Sequence, residues 1–471
     1  MNRRDFLRNA FLVGAAAAAE GCVSKGGGLF GAGSGSASGS MAEYADKPIP
    51  ELRVGVIGVS RGWTALDFTL IPHCRIVAVC DVTEVRAKKA ADEIKRRTGF
   101  APAVYTGAED YKKVCERDDV DLIWNATPWQ LHVKISLYAM EHGKHVAVEV
   151  PSAFTVEDCW RLVETSERTR RHCMQLENCC YGETEMLGLN LVRQGLLGEL
   201  VHGEGAYIHD LRKWNYGDFK PDTSWENYWD FWRLKWNGRH AGNQYPTHGL
   251  GPIALEMDIN RGDRFDYLVS VDSKQAGFRE YARETFGAEH WKAQFDVKMA
   301  DMNTTIIRTV KGRTILVQHD VGTCRPYDRL NLIQGTRGIL QDYPYRCAFE
   351  TKVGEGCHEY NAKFAEEVRE KYKHPLWKQA GAIAQKVGGH GGMDFLMTLR
   401  LAYLLQAGRP LDMNVYDLAS WCCLCELTET SATNRGRSVD IPDFTGGGWK
   451  TAKPLPIEGV DLKMLDGQAV G

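Results

Sequence analysis

From residue 52 to residue 148 the hydrophobic positions fall in short β-branched bursts separated by stretches of helical period. Residues 53–57 form the first burst, which ends in Gly58-Val59-Ser60-Arg61-Gly62, and an amphipathic segment starts at Trp63. Residues 75–80 form the second, stopped by Asp81, and 84–97 repeat apolar positions at helical spacing among good helix formers. Further strands are predicted at 103–105, 121–126 and 145–148. Strands alternating with helices predict a doubly wound parallel α/β sheet of the Rossmann kind over residues 51–180.

Beyond Tyr181 the alternation fails. Residues 201–210, 265–273, 295–300, 304–310, 314–320 and 329–335 read as strands of a mostly antiparallel sheet, and 360–373, 393–406 and 415–430 as helices. This predicts a second, α+β unit over residues 181–445, followed by a C-terminal tail at 446–471. No internal repeat is visible.

The N-terminus has a different pattern. Arg3-Arg4 before Phe6-Leu7, then a weakly apolar stretch from Ala10 to Ala19, resemble a twin-arginine export signal over residues 1–22, too short to span a bilayer. Such export moves folded proteins, so a cofactor can be bound beforehand, and the expected destination is the periplasm or cell envelope. Cys22 follows Ala19-Glu20-Gly21, which resembles a lipoprotein cleavage box except for its glutamate, so a lipid anchor at Cys22 stays open. Residues 23–50 read as a Gly/Ser-rich linker that cannot bury enough apolar surface to order itself. Folded structure is expected from near Leu52.

Composition narrows the function class. With 58 Lys+Arg against 61 Asp+Glu, the chain offers no electrostatic footprint for nucleic acid. Fourteen cysteines in 471 residues are about a third of the density at which a disulfide scaffold becomes the default. The cluster Cys422-Cys423-Leu424-Cys425 and the pair Cys179-Cys180 lack a repeated C-x-x-C with a second ligand pair, so they read as buried thiols and no metal is expected.

The candidate chemistry starts at the turn after the first strand, where backbone N–H groups and a helix N-terminus favour a pyrophosphate. The turn departs from Gly-x-Gly-x-x-Gly, with Ser60 at the second position and Gly62 one place early. Asp81, about 20 residues on, is placed to accept from a ribose and would oppose a 2′-phosphate, which favours NAD over NADP. Ala126-Thr127-Pro128-Trp129-Gln130-Leu131-His132 and Val148-Glu149-Val150-Pro151 follow two more strands, where open parallel sheets bind ligands.

This arrangement resembles the sugar-oxidoreductase family named after glucose-fructose oxidoreductase, inositol dehydrogenase and a rhizopine-catabolism protein. In that family Glu-Lys-Pro usually ends the fifth strand, and Glu149-Val150-Pro151 lacks the lysine. Further blocks resemble glycoside hydrolase family 109: Glu177-Asn178-Cys179-Cys180-Tyr181, residues 203–210, Tyr245-Pro246-Thr247-His248 through Pro252, residues 258–264, Arg325-Pro326-Tyr327 and Gly388-Gly389-His390-Gly391-Gly392-Met393-Asp394. That family's founding activity is an α-N-acetylgalactosaminidase with retained NAD. The resemblance implies that Ser60, Arg61, Asp81, Trp129, Gln130, Leu131, His132, Glu149, Val150 and Asn178 line the NAD site. It also implies that Tyr181, Tyr207, Arg233, Tyr245, Pro246, Thr247, His248 and Tyr327 face a sugar.

No carboxyl pair of the usual glycosidase kind can be singled out. A bound nicotinamide offers another route: hydride removal from C3 acidifies the C2 proton, loss of that proton expels the anomeric group, and water addition and hydride return complete a redox-neutral hydrolysis. Tyr181 and His248 are the candidate proton carriers, their individual protons unassigned. Five of thirteen tryptophans fall between Trp214 and Trp236. They read as core, as contact with a second copy in a homo-oligomer, or as stacking surfaces for a pyranose, with Arg233 as donor to its oxygens. The expected function is retaining, NAD-dependent hydrolysis of glycans ending in α-linked N-acetylgalactosamine (GalNAc). The alternatives are an exported NAD-dependent sugar oxidoreductase and a non-catalytic sugar-binding or sensor protein.

Overall fold

A computed structural model describes residues 39–220 and 227–461. The export signal, Cys22 and most of the linker lie outside the described residues.

Six short strands form the first sheet: β1 (Leu52–Ile57), β2 (Cys74–Cys80), β3 (Ala103–Tyr105), β4 (Leu122–Asn125), β5 (His145–Val148) and β6 (Cys173–Gln175). All pair in parallel, in the order β3-β2-β1-β4-β5-β6. The central strands are buried on both faces, which is why they read as continuous apolar bursts. The strand order reverses between β1 and β4, so a crevice opens beyond their carboxyl ends. The expected amphipathic helix after Gly58 is a 3-10 helix, Arg61–Leu70, and β6 is too short to leave a sequence pattern.

Eight strands form the second sheet: β7 (Leu200–Ile208), β8 (Phe265–Asp272), β9 (Asn303–Thr309), β10 (Thr314–Asp320), β11 (Leu332–Gly335), β12 (Gly338–Gln341), β13 (Arg346–Phe349) and β14 (Val439–Asp440). Their order is β13-β12-β11-β7-β10-β9-β8-β14, antiparallel except where β7 meets β10. The strand expected at 295–300 is irregular chain. The one expected at 329–335 starts only at Leu332, because Leu330 and Asn331 adopt positive φ. The helix expected over 415–430 breaks at Cys423 into Val415–Cys422 and Leu424–Thr433.

Helix Thr247–Glu256 lies directly on β7. A Cβ at Gly205 would meet the Gly249 carbonyl oxygen at 2.0 Å, and one at Gly249 would meet the Ala206 nitrogen at 2.2 Å. The two glycines therefore let helix and strand backbones touch, and this sets the helix N-terminus beside Tyr207. The helix had no sequence signature, being buried all round and containing Pro252.

The chain then returns to the first sheet. Helix Met393–Ala407 packs on Arg61–Leu70 and on residues 178–181, while Val415–Cys422 packs on helix Val156–Thr169 and β6. Part of the stretch assigned to the second unit thus completes the first. Folded structure also begins before Leu52: Met41 is buried and its N–H donates to the Tyr416 hydroxyl at 3.1 Å, while Asp46 pairs with Arg171 at 2.8 Å. The described part of the expected tail is pinned as well, through Val460 N–H to Gln379 and the Arg193 guanidinium to the Leu455 carbonyl. Among the described residues no helix is long and apolar enough to cross a membrane.

Candidate active site

Beyond β1, Gly58 takes φ +84°, and a Cβ there would sit 2.5 Å from the Ala126 carbonyl oxygen. Asp81 closes this turn by accepting from Val59 N–H and Thr83 N–H, both at 2.8 Å. Each carboxylate oxygen keeps a second lone pair, so the same side chain can still accept from a ribose.

Next to the turn, five side chains from four segments form one ionic network. Arg61 Nε lies 3.0 Å from Glu149 Oε1, and its terminal nitrogens lie 3.3 and 3.4 Å from Asp394. Asp394 also accepts from Asn178 Nδ2 at 2.6 Å and lies 2.9 Å from His390 Nδ1. Burial alone would raise the Asp394 carboxyl, but Arg61, then His390 and Asn178, hold it well below the usual range. At Glu149 burial wins over Arg61, and its carboxyl is pushed up. Arg61, Glu149 and Asn178, three of the residues expected at the NAD site, are therefore brought together, while Asp394 and His390 were quoted in a motif without a role. Four glycines around them, Gly388, Gly389, Gly391 and Gly392, have positive φ, which marks a special loop but not its destination.

Trp129 and Val150 are buried together on the crevice side with Phe154. His132 is buried too, its Nδ1 2.8 Å from the Pro151 carbonyl and its Nε2 2.7 Å from the Thr127 carbonyl. It ties the two crevice loops together rather than facing a ligand. The side chains of Gln130 and Leu131 are exposed, with Gln130 lining an outer groove beside Val133, Leu137 and Arg161. The expectation that they line the crevice is corrected: on this helix only one face meets the sheet. Ser60 precedes the 3-10 helix, at the turn.

Opposite this network stands an aromatic cluster carried by the second sheet. The Tyr207 ring lies 4.4 Å from Tyr245, 5.1 Å from His248 and 6.3 Å from Tyr327, centroid to centroid. Arg233 is buried over the faces of Trp129 (4.7 Å) and Tyr245 (5.2 Å) and donates to the Tyr228 hydroxyl at 2.8 Å. Pro246 precedes the helix and Thr247 is its fully buried first residue. His248 Nδ1 lies 2.8 Å from Glu177 Oε1. Burial lowers the His248 pKa more than Glu177 raises it, so the imidazole stays neutral at neutral pH. His319, opposite Tyr207 in the β7/β10 register, is buried with neither ring nitrogen bonded. The sequence did not single it out.

Tyr181 is not in this cluster. Its hydroxyl donates to Asp412 at 3.2 Å, beneath the Arg400–Asp412 ion pair, and its carbonyl accepts from Trp377 Nε1 at 2.9 Å. Burial, then Asp412, pushes its phenol well above the ordinary value. The turn Asn178–Tyr181 and its cap Glu177 send neighbouring side chains to different partners, Glu177 to His248, Asn178 to Asp394 and Tyr181 to Asp412. Spacing in the sequence could not separate them. The tyrosines beside His248 are Tyr245, at 4.8 Å between ring centroids, and Tyr207, at 5.1 Å.

Residues 181–451 match the sequence profile described as glycosyl hydrolase 109, C-terminal domain, and residues 52–176 match oxidoreductase family, NAD-binding Rossmann fold. A glycosyl hydrolase family 109 protein of Shewanella baltica is 47% identical over 412 residues, covering 87% of this chain and 88% of its own. An α-N-acetylgalactosaminidase of Shewanella oneidensis is 46% identical over 412 residues with the same coverage. The fold is shared with an NAD-binding oxidoreductase from Klebsiella pneumoniae (TM-score 0.63, 16% identity, 84% of this chain and 100% of that one). It is also shared with levoglucosan dehydrogenase in complex with NADH and levoglucosan (TM-score 0.59, 19% identity, 83% and 100%).

Proposed function

The chain belongs to glycosyl hydrolase family 109, and on that premise we propose that it removes terminal α-linked N-acetylgalactosamine with retention, through redox-assisted elimination and water addition. The observation that carries this reading is the Tyr207–His248–Glu177 cluster facing an NAD-binding domain across one crevice. The residues present suit the cofactor: Gly58 leaves no room for a Cβ, Asp81 stands at the ribose position, and buried Val150 and Trp129 offer an apolar wall. When bound, NAD supplies a hydride acceptor that can return its hydride to the same carbon.

The chain's own side chains handle protons and orientation. Glu177 beside Nδ1 selects the tautomer that leaves His248 Nε2 as a base. Tyr207 supplies the second proton carrier, and between them they serve the C2 proton and the C3 hydroxyl. Arg233 donates to sugar oxygens while Tyr245 and Tyr327 enclose the ring. Val150 stands where the oxidoreductases carry lysine, which disfavours net dehydrogenation.

Assay of p-nitrophenyl glycosides without added NAD tests the proposal. Release from the α-N-acetylgalactosaminide, deuterium at C2 after turnover in heavy water, and no accumulating NADH are expected. Full activity with unlabelled C2 would remove the redox-assisted route. We further infer export by the twin-arginine route from Arg3-Arg4 and the stretch after them. Arg3→Lys with Arg4→Lys should retain the protein inside the cell, and unchanged export would remove the assignment.

A further inference from the structure

We propose that Glu177, Cys179 and His248 form a binding site for zinc, and that its occupation shuts the enzyme off. Each side chain offers one donor atom, a carboxylate oxygen, a sulfur and an imidazole nitrogen, and the three atoms lie within 4.8 Å of one another. The first two come from the turn after β6, where Glu177 Oε1 accepts from the Cys179 backbone N–H at 3.1 Å and the Cys179 thiol donates to Asn178 Oδ1 at 3.6 Å. The third comes from the helix laid on β7, some seventy positions later. A search for repeated cysteine spacings could not find such a set.

A second observation points to a ligand. Glu177 is fully buried, and its Oε2 accepts no well-formed hydrogen bond, the neutral Thr247 hydroxyl being the remaining group beside the carboxylate. A buried carboxylate oxygen without a partner is costly unless something positive meets it. Arg329 does not serve that need, since it pairs with Glu185. The thiol and imidazole select zinc over magnesium or calcium, which take oxygen ligands. Three protein ligands leave a fourth position for water, and shifts under about 1 Å bring the donors to Zn–S near 2.3 Å and Zn–N near 2.0 Å.

Binding exchanges hydrated Zn²⁺ waters for the three ligands and releases the Cys179 thiol proton to solvent. The thiolate and the Glu177 carboxylate then balance the two positive charges. Zinc coordinates Nδ1, the His248 nitrogen beside Glu177, whose proton shifts to Nε2, so the nitrogen that serves as base is capped and can no longer accept a proton from substrate. The inhibitory half of this inference rests on the proton-transfer role given to His248 above, whereas the binding half does not.

The experiment uses NAD-loaded protein carrying Cys324→Ser and Cys357→Ser, which removes the thiols exposed among the described residues. Calorimetric titration with zinc chloride should show one tight equivalent, and Co²⁺ should give a thiolate charge-transfer band. Cys179→Ala in that background should keep glycosidase activity, lose the band and bind zinc about 10-fold more weakly or worse. The zinc concentration that halves activity should rise with it. Cys179→Ser guards against a packing defect in the alanine variant and should also lose the band. No tight equivalent in the parent, or equal affinity in both Cys179 variants, overturns the site. Tight binding without inhibition of an active enzyme overturns the shut-off, and so does activity that requires zinc. Calorimetry needs no turnover, so failure of the glycosidase reading would appear separately.

Discussion

The crevice flank built on the first sheet is ionic, with Arg61, Glu149, Asn178, His390 and Asp394 joined side chain to side chain. The flank built on the second is aromatic, with Tyr207, Tyr245 and Tyr327 around a neutral histidine and Arg233 lying over ring faces. A network tied from four segments has little freedom, which suits holding one fixed, charged cofactor. Aromatic faces with few polar groups suit a pyranose that must enter, react and leave. Substitutions in the two flanks should therefore fail differently, one in cofactor retention and the other in turnover.

The largest effect is expected on the aromatic side. His248→Ala and Tyr207→Phe should each lower kcat by about 10²-fold or more, as for a group moving a proton in the transition state, while extracted NAD stays stoichiometric. Tyr181→Phe removes only the buried hydroxyl on Asp412, so kcat should stay within a few-fold and stability should fall by about 1 kcal/mol. If Tyr181→Phe were as damaging as Tyr207→Phe, the exchange of one tyrosine for the other would be wrong. On the ionic side, Asp394→Ala should yield protein that loses NAD on gel filtration and regains activity when NAD is added. Undiminished NAD content after such a step would break the division of labour.

How much of this could be read beforehand follows from what local pattern encodes. Four strands of the first sheet were visible because their burial leaves continuous apolar runs, edge strand β3 only as a short β-branched run between helical stretches, and Asp81 and Glu149 were visible because they end such runs. Asp394 was not, since nothing within thirty residues of it records that its helix returns to the first sheet. Helix Thr247–Glu256 was not, because a fully buried helix has no polar face. Tyr181 was misplaced because a four-residue turn obeys no periodicity, so its partners follow from packing alone.

A medium effect tests how the aromatic flank is positioned. Gly205→Ala puts a methyl 2.0 Å from the Gly249 carbonyl oxygen, so helix Thr247–Glu256 must lift. Overpacking of this kind costs about 1–3 kcal/mol, and kcat should drop with NAD still bound. Unchanged Tm and kcat would mean the helix has slack.

The flanks should also differ in acid. Burial pushes the His319 pKa down to about 3, below an unfolded value near 6.5. Its contribution is complete above about pH 6.5 and is lost as the pH falls toward 3, because the unfolded chain binds the proton first. Asp394 has a depressed folded pKa, so its contribution is present above an unfolded value near 3.9 and is lost only below it. Between pH 7 and 5, Tm should therefore fall through the buried histidines, and His319→Gln should flatten that fall. An equal slope in the variant would show that His319 takes up no proton there.

The smallest effect on catalysis is expected where neither flank is touched. Residues 1–38 should be replaceable by a methionine with kcat, NAD content and Tm unchanged, because residues 39–51 already pin the N-terminal strap through Gly39, Met41 and Asp46. Removing residues 1–50 instead takes away buried Met41 and the Asp46–Arg171 pair. Burying a methionine side chain is worth about 1.5–3 kcal/mol, and a partly exposed ion pair adds less than about 1 kcal/mol. The longer deletion should lower Tm by several degrees, since a large domain shifts by about 2–4 °C per kcal/mol. The crevice lies elsewhere, so kcat at 25 °C should match the shorter deletion. A loss of turnover with NAD retained would instead tie the strap to the aromatic flank, and a loss of NAD would tie it to the ionic one.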